Sequence, residues 1–284
     1  MRFSILLLTP LLVFQAKAVN LDEISFHNEQ SDTTKITNIL VKYVDVKDSG
    51  ERILEIGKEF LGTPYVAHTL EGKTEMLTVN LDELDCTTFV ETVMALSYTA
   101  GERRTSWRDY VYNLERIRYR NGKLDGYASR LHYISDWIID NSYRGNFVEV
   151  TNRLPLHSYM VKNIDFMSAH RSSYPALADS VTFEKIKNTE VGYRNHRYPY
   201  IKSRDLYSKS VKESLRDGDV VALTCNLKDL DVSHMGIIVK KDGEPYLMHA
   251  SSSNGKVEIT KVPLCEFMKR NRNLTGIRVI RFEN

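Results

Sequence analysis

Leu84-Asp85-Cys86-Thr87-Thr88-Phe89-Val90-Glu91-Thr92-Val93-Met94-Ala95-Leu96 decides how the chain is read. Its apolar residues Phe89, Val90, Val93, Met94 and Leu96 recur at helical spacing, which predicts a buried helix beginning at Asp85 with a cysteine in its first turn. Unsatisfied backbone N–H groups and the positive end of the helix dipole favour an anion there, and the thiolate is the nucleophilic form of cysteine. The competing reading is a cysteine that only fills space in the core.

Upstream of this helix, the segment from Asn20 to Asp48 is polar, with one apolar helical patch at Ile36, Ile39, Leu40 and Tyr43. A second helix is expected over Glu51 to Leu61, burying Ile53, Leu54, Ile56, Phe60 and Leu61, with Gly62 and Pro64 as its stop signal. Downstream, an arginine- and tyrosine-rich segment from Gly101 to about Tyr207 carries two expected helices. One presents Trp107, Tyr110, Val111, Leu114 and Ile117 on a single face and ends at Asn121-Gly122. The other spans Tyr127 to Asn141, where Tyr133 and Trp137, one turn apart, read as core before ligand platform. From Asn152 to Tyr207 little periodicity is visible. The run Tyr193-Arg194-Asn195-His196-Arg197-Tyr198-Pro199-Tyr200 reads as a loop, either a solvated surface or a wall for an anionic or sugar-containing substrate.

The last eighty residues, roughly, switch to strand periodicity. Arg216-Asp217-Gly218-Asp219 launches Val220 to Leu223, and His234 to Val239 forms a second strand. Asp242-Gly243 is a hairpin turn leading into Tyr246 to Ser251, and Asn254-Gly255 turns into Val257 to Thr260. Thr275 to Phe282 is expected to close the sheet. Helices first and an antiparallel meander afterwards is the α+β pattern.

Composition sets limits on function. Arg2, the apolar run Phe3 to Phe14 and Ala16-Lys17-Ala18 read as a secretory signal peptide over 1–18, leaving about 266 residues as one domain, 19–284. No later segment is apolar for long enough to span a bilayer. The net charge of +2 argues against nucleic acid as the main partner. Three cysteines are too few for a disulfide framework, and an odd number in an exported protein leaves one thiol to explain. Cys86 is the candidate; Cys225 and Cys265 are either bonded to each other or simply buried.

A two-residue loop at Asp242-Gly243 sets Val239 opposite Tyr246, Gly236 opposite His249 and His234 opposite Ser251. Strand alternation then puts His234, His249 and Ser251 on one face. Diagonal neighbours lie about 7–8 Å apart, within reach of two imidazoles. A nucleophile, a base and a group that fixes the base's tautomer are what thiol catalysis needs. Cys86 at a helix N-terminus, packed on the face that carries His234, supplies them, with His249 as orienting group and Ser251 as its substitute. Rival chemistries find little support: there is no His-Glu-x-x-His, no paired-cysteine metal spacing, no Gly-x-Ser-x-Gly elbow and no phosphate-cradling loop. Asp85 reads better as a helix cap than as half of a glycosidase pair with Glu91.

Five short motifs carry a resemblance: Gly62-Thr63-Pro64-Tyr65, Asp85-Cys86-Thr87-Thr88-Phe89-Val90, Gly218-Asp219-Val220, His234-Met235-Gly236-Ile237 and Met248-His249-Ala250. In this order the chain resembles the NlpC/P60 cysteine peptidases, papain-like enzymes that cut cell-wall peptides. The wording Leu-Asp-Cys-Thr-Thr-Phe-Val-Glu and the stretch Tyr127 to Trp137 are similar to the DUF1460 branch, regarded as N-acetylmuramoyl-L-alanine amidases. The resemblance implies a papain-like core with a large insertion at about 101–207. It makes Cys86 nucleophile, His234 base and His249 the third polar residue, and in the peptidase branch the Tyr65 and Asp85 positions help hold the substrate's free amine; Thr87 and Ser251 complete the expected substrate-binding residues. Two departures stand out: Val66-Ala67-His68 replaces the usual Trp-Gly-Gly, and the insertion separates nucleophile from base.

The expected function is hydrolysis of the N-acetylmuramoyl-L-alanine bond of peptidoglycan fragments by a secreted, periplasmic monomer that needs no metal or cofactor. An endopeptidase cutting the peptide stem and a non-catalytic wall-binding module are the alternatives. The sequence leaves open whether intact wall, soluble fragments or 1,6-anhydro forms are the substrate.

Overall fold

The computed structural model describes residues 20–282; the signal peptide read over 1–18 lies outside the described residues. In chain order the elements are β1 (Ile24–Phe26), α1 (Glu29–Tyr43), α2 (Ser49–Lys58), β2 (Leu77–Val79), α3 (Cys86–Gly101), α4 (Trp107–Arg118) and α5 (Ile134–Tyr143). There follow β3 (Val148–Glu149), β4 (His157–Lys162), α6 (Phe166–Ala169), α7 (Ser180–Val191), β5 (His196–Lys202) and α8 (Lys209–Ser214). The chain ends with β6 (Val220–Cys225), β7 (Val232–Lys241), β8 (Glu244–Ser251), β9 (Lys256–Ile259), α9 (Leu264–Arg270) and β10 (Leu274–Arg281). The result is the expected mixed α+β architecture, helices packed on an antiparallel sheet.

The cysteine helix sits at the centre with almost its whole surface covered. Phe89, Val90, Val93, Met94 and Leu96 are all fully buried, and the polar Thr88, Glu91, Thr92, Ser97 and Thr99 are enclosed with them. Helices α1, α2 and α4 pack around it, and the sheet strands β7 and β8 cover its remaining face. Ile36, Ile39, Leu40 and Tyr43 of α1, the patch visible in the sequence, are buried in the same core. Helix α2 stops at Lys58, earlier than the spacing predicts, so Leu61 is exposed rather than part of the buried side. Gly62, at φ +90°, takes the left-handed turn there.

The main sheet runs β4-β5-β10-β6-β7-β8-β9, with β3 pairing to β10. Strands β6 to β9 are the expected meander. β10 does not close the sheet at an edge, as expected, but lies inside it, between β5 and β6. The reason is that the arginine- and tyrosine-rich segment contributes three strands of its own, β3, β4 and β5. The run 193–200 is therefore not a loop: from His196 onward it is strand β5, with Tyr198 and Ile201 buried, Pro199 opposite Tyr159 of β4, and Ile201 opposite Ile277 of β10. Backbones approach closely at Gly276, where a Cβ would lie 2.1 Å from the Ile201 carbonyl oxygen.

The helix expected over Tyr127 to Asn141 begins only at Ile134, after a single 3-10 turn at Tyr127–Ser129. Between them Arg130 and Leu131 are extended, held by the bridge to Tyr119 and the Leu131 N–H to the Arg118 carbonyl. Tyr133, Ile164, Met167, Leu177, Ile186 and Tyr193 form a small separate core in this segment.

Inside the main core the Arg118–Glu91 ion pair is enclosed. Arg118 of α4 donates from Nε to Glu91 Oε2 of α3 at 2.7 Å and from Nη1 to the Thr78 carbonyl, with both charged groups buried. Burial pushes the Glu91 carboxyl up and Arg118 opposes it. Removing one partner leaves a buried charge uncompensated, so Glu91→Ala is expected to lower the unfolding free energy by about 3–5 kcal/mol in urea denaturation. A loss under about 1 kcal/mol would show that the Thr78 carbonyl alone satisfies Arg118.

Candidate active site

Asp85 is the N-cap of α3, as read from the sequence. Its Oδ1 accepts from the Thr87 and Thr88 N–H groups at 3.0 and 2.8 Å, and Thr88 Oγ1 accepts from the Asp85 N–H at 2.8 Å, completing a capping box. Phe89 N–H goes to the Asp85 carbonyl. Of the first N–H groups of the helix, Cys86's own is left without a carbonyl or carboxylate partner, and it points to its own sulfur. Thr87 Oγ1 lies 4.0 Å from that sulfur.

Tyr65 reaches the same place by a different route. Gly62 N–H bonds to the Val257 carbonyl, Tyr65 N–H to Gly255, and Pro64 and Tyr65 bridge to Lys256 and Leu84. The 62–65 segment is thus tied between β9 and the entry to α3. Burial pushes the Tyr65 phenol up, and the neighbouring Cys86 and Asp85 groups add to the effect.

On the sheet, β7 and β8 pair from Lys241↔Glu244 to Ile237↔Met248 in the register counted from the Asp242-Gly243 turn. There the ladder stops, although β7 continues back to Val232 on β6 and β8 forward to Ser251 on β9. Ile238 exchanges its backbone bonds with Gly218 and Asp219 on the β6 side. By alternation, Ile237 and Met235 direct theirs toward β8. Beyond the last pair, the Met235 N–H finds the Cys86 sulfur instead. The thiol therefore lies at the opening between two strands, one residue from His234.

His234 and His249 meet across that opening, His234 Nε2 to His249 Nδ1 at 2.7 Å with the rings edge to face. The sequence brought these two together correctly but misplaced the helix. α3 packs on the sheet face of Met235, Ile237, Met248 and Ala250, while His249, like Leu247, is on the other face, where its ring meets Phe267 of α9. The thiol meets the Met235 N–H where the ladder opens, one residue along the strand from His234. Ser251, the expected substitute for His249, is not brought to His234: its Oγ lies 3.2 Å from Ser253 Oγ and accepts from the Asn254 N–H, holding the turn.

Electrostatics also departs from the sequence reading. Burial pushes the Cys86 thiol up to about 11, Asp85 adds to this, and the Met235 N–H, the Thr87 hydroxyl and the Cys86 N–H pull it down without prevailing. Burial brings His234 down to about 4 against the pull of Asp85. His249 falls to about 3 by burial and by its neighbour His234. The free site thus holds a thiol beside two neutral imidazoles, with desolvation outweighing the helix end.

Glu258 escaped the sequence reading. It pairs with His249 across β8 and β9, and its Oε1 lies 4.0 Å from His249 Nε2. A two-residue Asn254-Gly255 loop would have set Ser251 opposite Glu258; the connection instead takes four residues, 252–255, with Ser251 opposite Lys256, which brings Glu258 to His249. Cys225 and Cys265 are free and buried. Among the described residues there is no group of three or more His, Cys, Asp or Glu able to hold a metal ion, and no helix long and apolar enough to cross a membrane.

Residues 55–277 match the AmiA-like family, described as N-acetylmuramoyl-L-alanine amidase-like. Among solved structures, an N-acetylmuramoyl-L-alanine amidase from Bacteroides uniformis ATCC 8492 is 40% identical at a TM-score of 0.78, covering 83% of this chain and 99% of its own. A proposed xylanase from Bacteroides fragilis is also 40% identical, at a TM-score of 0.75 over 81% of this chain and 100% of its own. A DUF1460 protein from Legionella pneumophila, 22% identical at a TM-score of 0.69 over 89% of this chain and 94% of its own, shares the fold. No curated protein matches the chain.

With its pKa raised, Cys86 stays protonated through the neutral range. Its alkylation by iodoacetamide, followed by peptide mass spectrometry, is expected to accelerate with pH toward about 11. A rate already constant by neutral pH would mean a preformed thiolate and contradict this.

Proposed function

The chain belongs to the AmiA-like, N-acetylmuramoyl-L-alanine amidase-like family, and from that premise we propose that it is a cysteine amidase cleaving the bond between N-acetylmuramic acid and L-alanine in peptidoglycan fragments. The observation that carries this is a thiol at the helix N-terminus whose sulfur meets the Met235 N–H, next along the strand to the 2.7 Å His234–His249 pair. Within the same reading, the chain has a papain-like core of the NlpC/P60 kind, is secreted into the periplasm and acts as a single-domain monomer.

His234 Nε2 is engaged by His249, so Nδ1 is the atom free to face the thiol. In the first step Cys86 Sγ attacks the muramoyl carbonyl carbon while its proton passes to His234 Nδ1. The oxyanion that forms is stabilised by the Cys86 N–H, the one N–H of the first turn not held by a carbonyl or carboxylate. The C–N bond then breaks, the imidazolium gives its proton to the departing alanine nitrogen, and a muramoyl thioester remains. Water, losing a proton to His234, hydrolyses the thioester and the thiol is restored.

Two features favour the amidase over its rivals. Asp85 Oδ1 is committed to the helix cap, which leaves less of the carboxylate for the free amine that a stem endopeptidase would hold. Glycoside hydrolysis needs two carboxyl groups flanking the scissile bond, and here Glu91 is locked to Arg118 inside the core. The inserted segment is also tied to the loop that follows Tyr65, where Arg130 pairs with Glu71 and Glu75, and would wall the site on that side. A wall of this kind fits small muropeptides, 1,6-anhydro forms among them, better than polymer.

Digestion of a defined N-acetylmuramoyl-tripeptide is expected to release the intact tripeptide, read by mass spectrometry. Cys86→Ala should lower the rate by about 10⁴-fold or more. Scission within the stem would replace the amidase by an endopeptidase, and undiminished turnover by the variant would remove the thiol mechanism.

A further inference from the structure

His249 Nε2 is a fully buried ring nitrogen with no hydrogen-bond partner, on a side chain only 4% exposed. The groups around the ring are few. His234 of β7 takes Nδ1, Phe267 of α9 presents its apolar edge, and on the ladder partner β9 the Glu258 carboxylate stands 4.0 Å from Nε2. Glu258 is itself pinned, since Asn254 Nδ2 donates to the same Oε1 at 2.5 Å.

We propose that Glu258 is a positioning residue that sets the tautomers of both histidines and thereby aims the basic nitrogen of His234 at Cys86. A neutral imidazole carries one N–H and one lone pair. A lone pair on His249 Nε2 would face a carboxylate, whereas an N–H there is attracted to it, so the proton of His249 belongs on Nε2. Nδ1 of His249 then has only a lone pair to offer, and the 2.7 Å contact must take its hydrogen from His234 Nε2. That leaves the lone pair of His234 on Nδ1, the atom that must receive the thiol proton. With the opposite chain of tautomers His234 would present an N–H to a thiol, and no proton transfer could begin. Each strand contributes one member in turn: β9 the carboxylate, β8 the relay ring, β7 the base.

This inference rests on the cysteine mechanism proposed above, but its first test needs no substrate. In ¹⁵N-histidine NMR of the full chain at neutral pH, both His234 and His249 are expected as Nε2–H tautomers. Glu258→Leu should scramble that assignment, slow Cys86 alkylation, and lower kcat on the muramoyl-tripeptide by about tenfold to a hundredfold, the range typical for losing a group that orients an imidazole, with KM little changed. Glu258→Gln keeps an acceptor oxygen that Asn254 can still hold, so it should retain the Nε2–H tautomers and recover most of kcat. A wild-type His249 protonated on Nδ1 would overturn the proposal, and so would Glu258→Leu with unaltered tautomers and kcat. If the leucine variant does not fold, the wild-type and glutamine spectra still decide. Correct tautomers in a protein that leaves the muramoyl-tripeptide intact would sink the substrate assignment and leave this inference standing.

Discussion

The parting of β7 and β8 beyond Ile237 and Met248 is the constraint on which the site depends. A continuous ladder would use the Met235 N–H for β8 and seal the sheet between α3 on one face and His249 on the other. Because pairing stops while both strands continue, the N–H is free to meet the Cys86 sulfur, and side chains from opposite faces can meet at one opening. The strands are kept apart by their outer neighbours. β6 holds β7 with a register shift at Leu223/Thr224, just where His234 emerges, and β9 holds β8 as far as Ser251. Such irregularities re-aim side chains at functional sites, and here the re-aimed side chain is the base of the proposed mechanism.

A second balance follows from the depth of that opening. A helix N-terminus stabilises a thiolate by partial charges, yet here Asp85 spends two of those N–H groups on its own carboxylate and adds a negative charge beside the sulfur. Burial then penalises every charged form, so the thiol, His234 and His249 all rest neutral. In a neutral chain the position of each proton is decided by hydrogen-bond partners rather than by charge, which is why a carboxylate at the far end of the pair matters.

Much of this was legible in the chain. Helical spacing over Phe89 to Leu96 gave the central helix, the S/T/D-type cap placed its start, and an Asp-Gly turn fixed the β7–β8 register well enough to pair two histidines fifteen residues apart. What stayed hidden was long-range. The strand at 196–202 reads as polar and aromatic because its partners, β4 and β10, lie far away in sequence. The helix expected from Tyr127 is broken at Arg130 by Tyr119 and by acidic residues of the 71–75 loop. The face on which α3 packs depends on where a ladder stops, which alternation cannot show. The raised thiol pKa depends on burial that only the assembled fold creates.

In the proposed reaction Cys86 takes the muramoyl group as a thioester. The most direct measurement is the mass of the enzyme quenched in acid during turnover of a muramoyl-peptide, followed by peptide mapping. An adduct of the muramoyl moiety, without alanine, is expected on the peptide containing Cys86. Turnover with an adduct bearing alanine, or with Cys86 found only as the free thiol under conditions that trap thioesters, would contradict it.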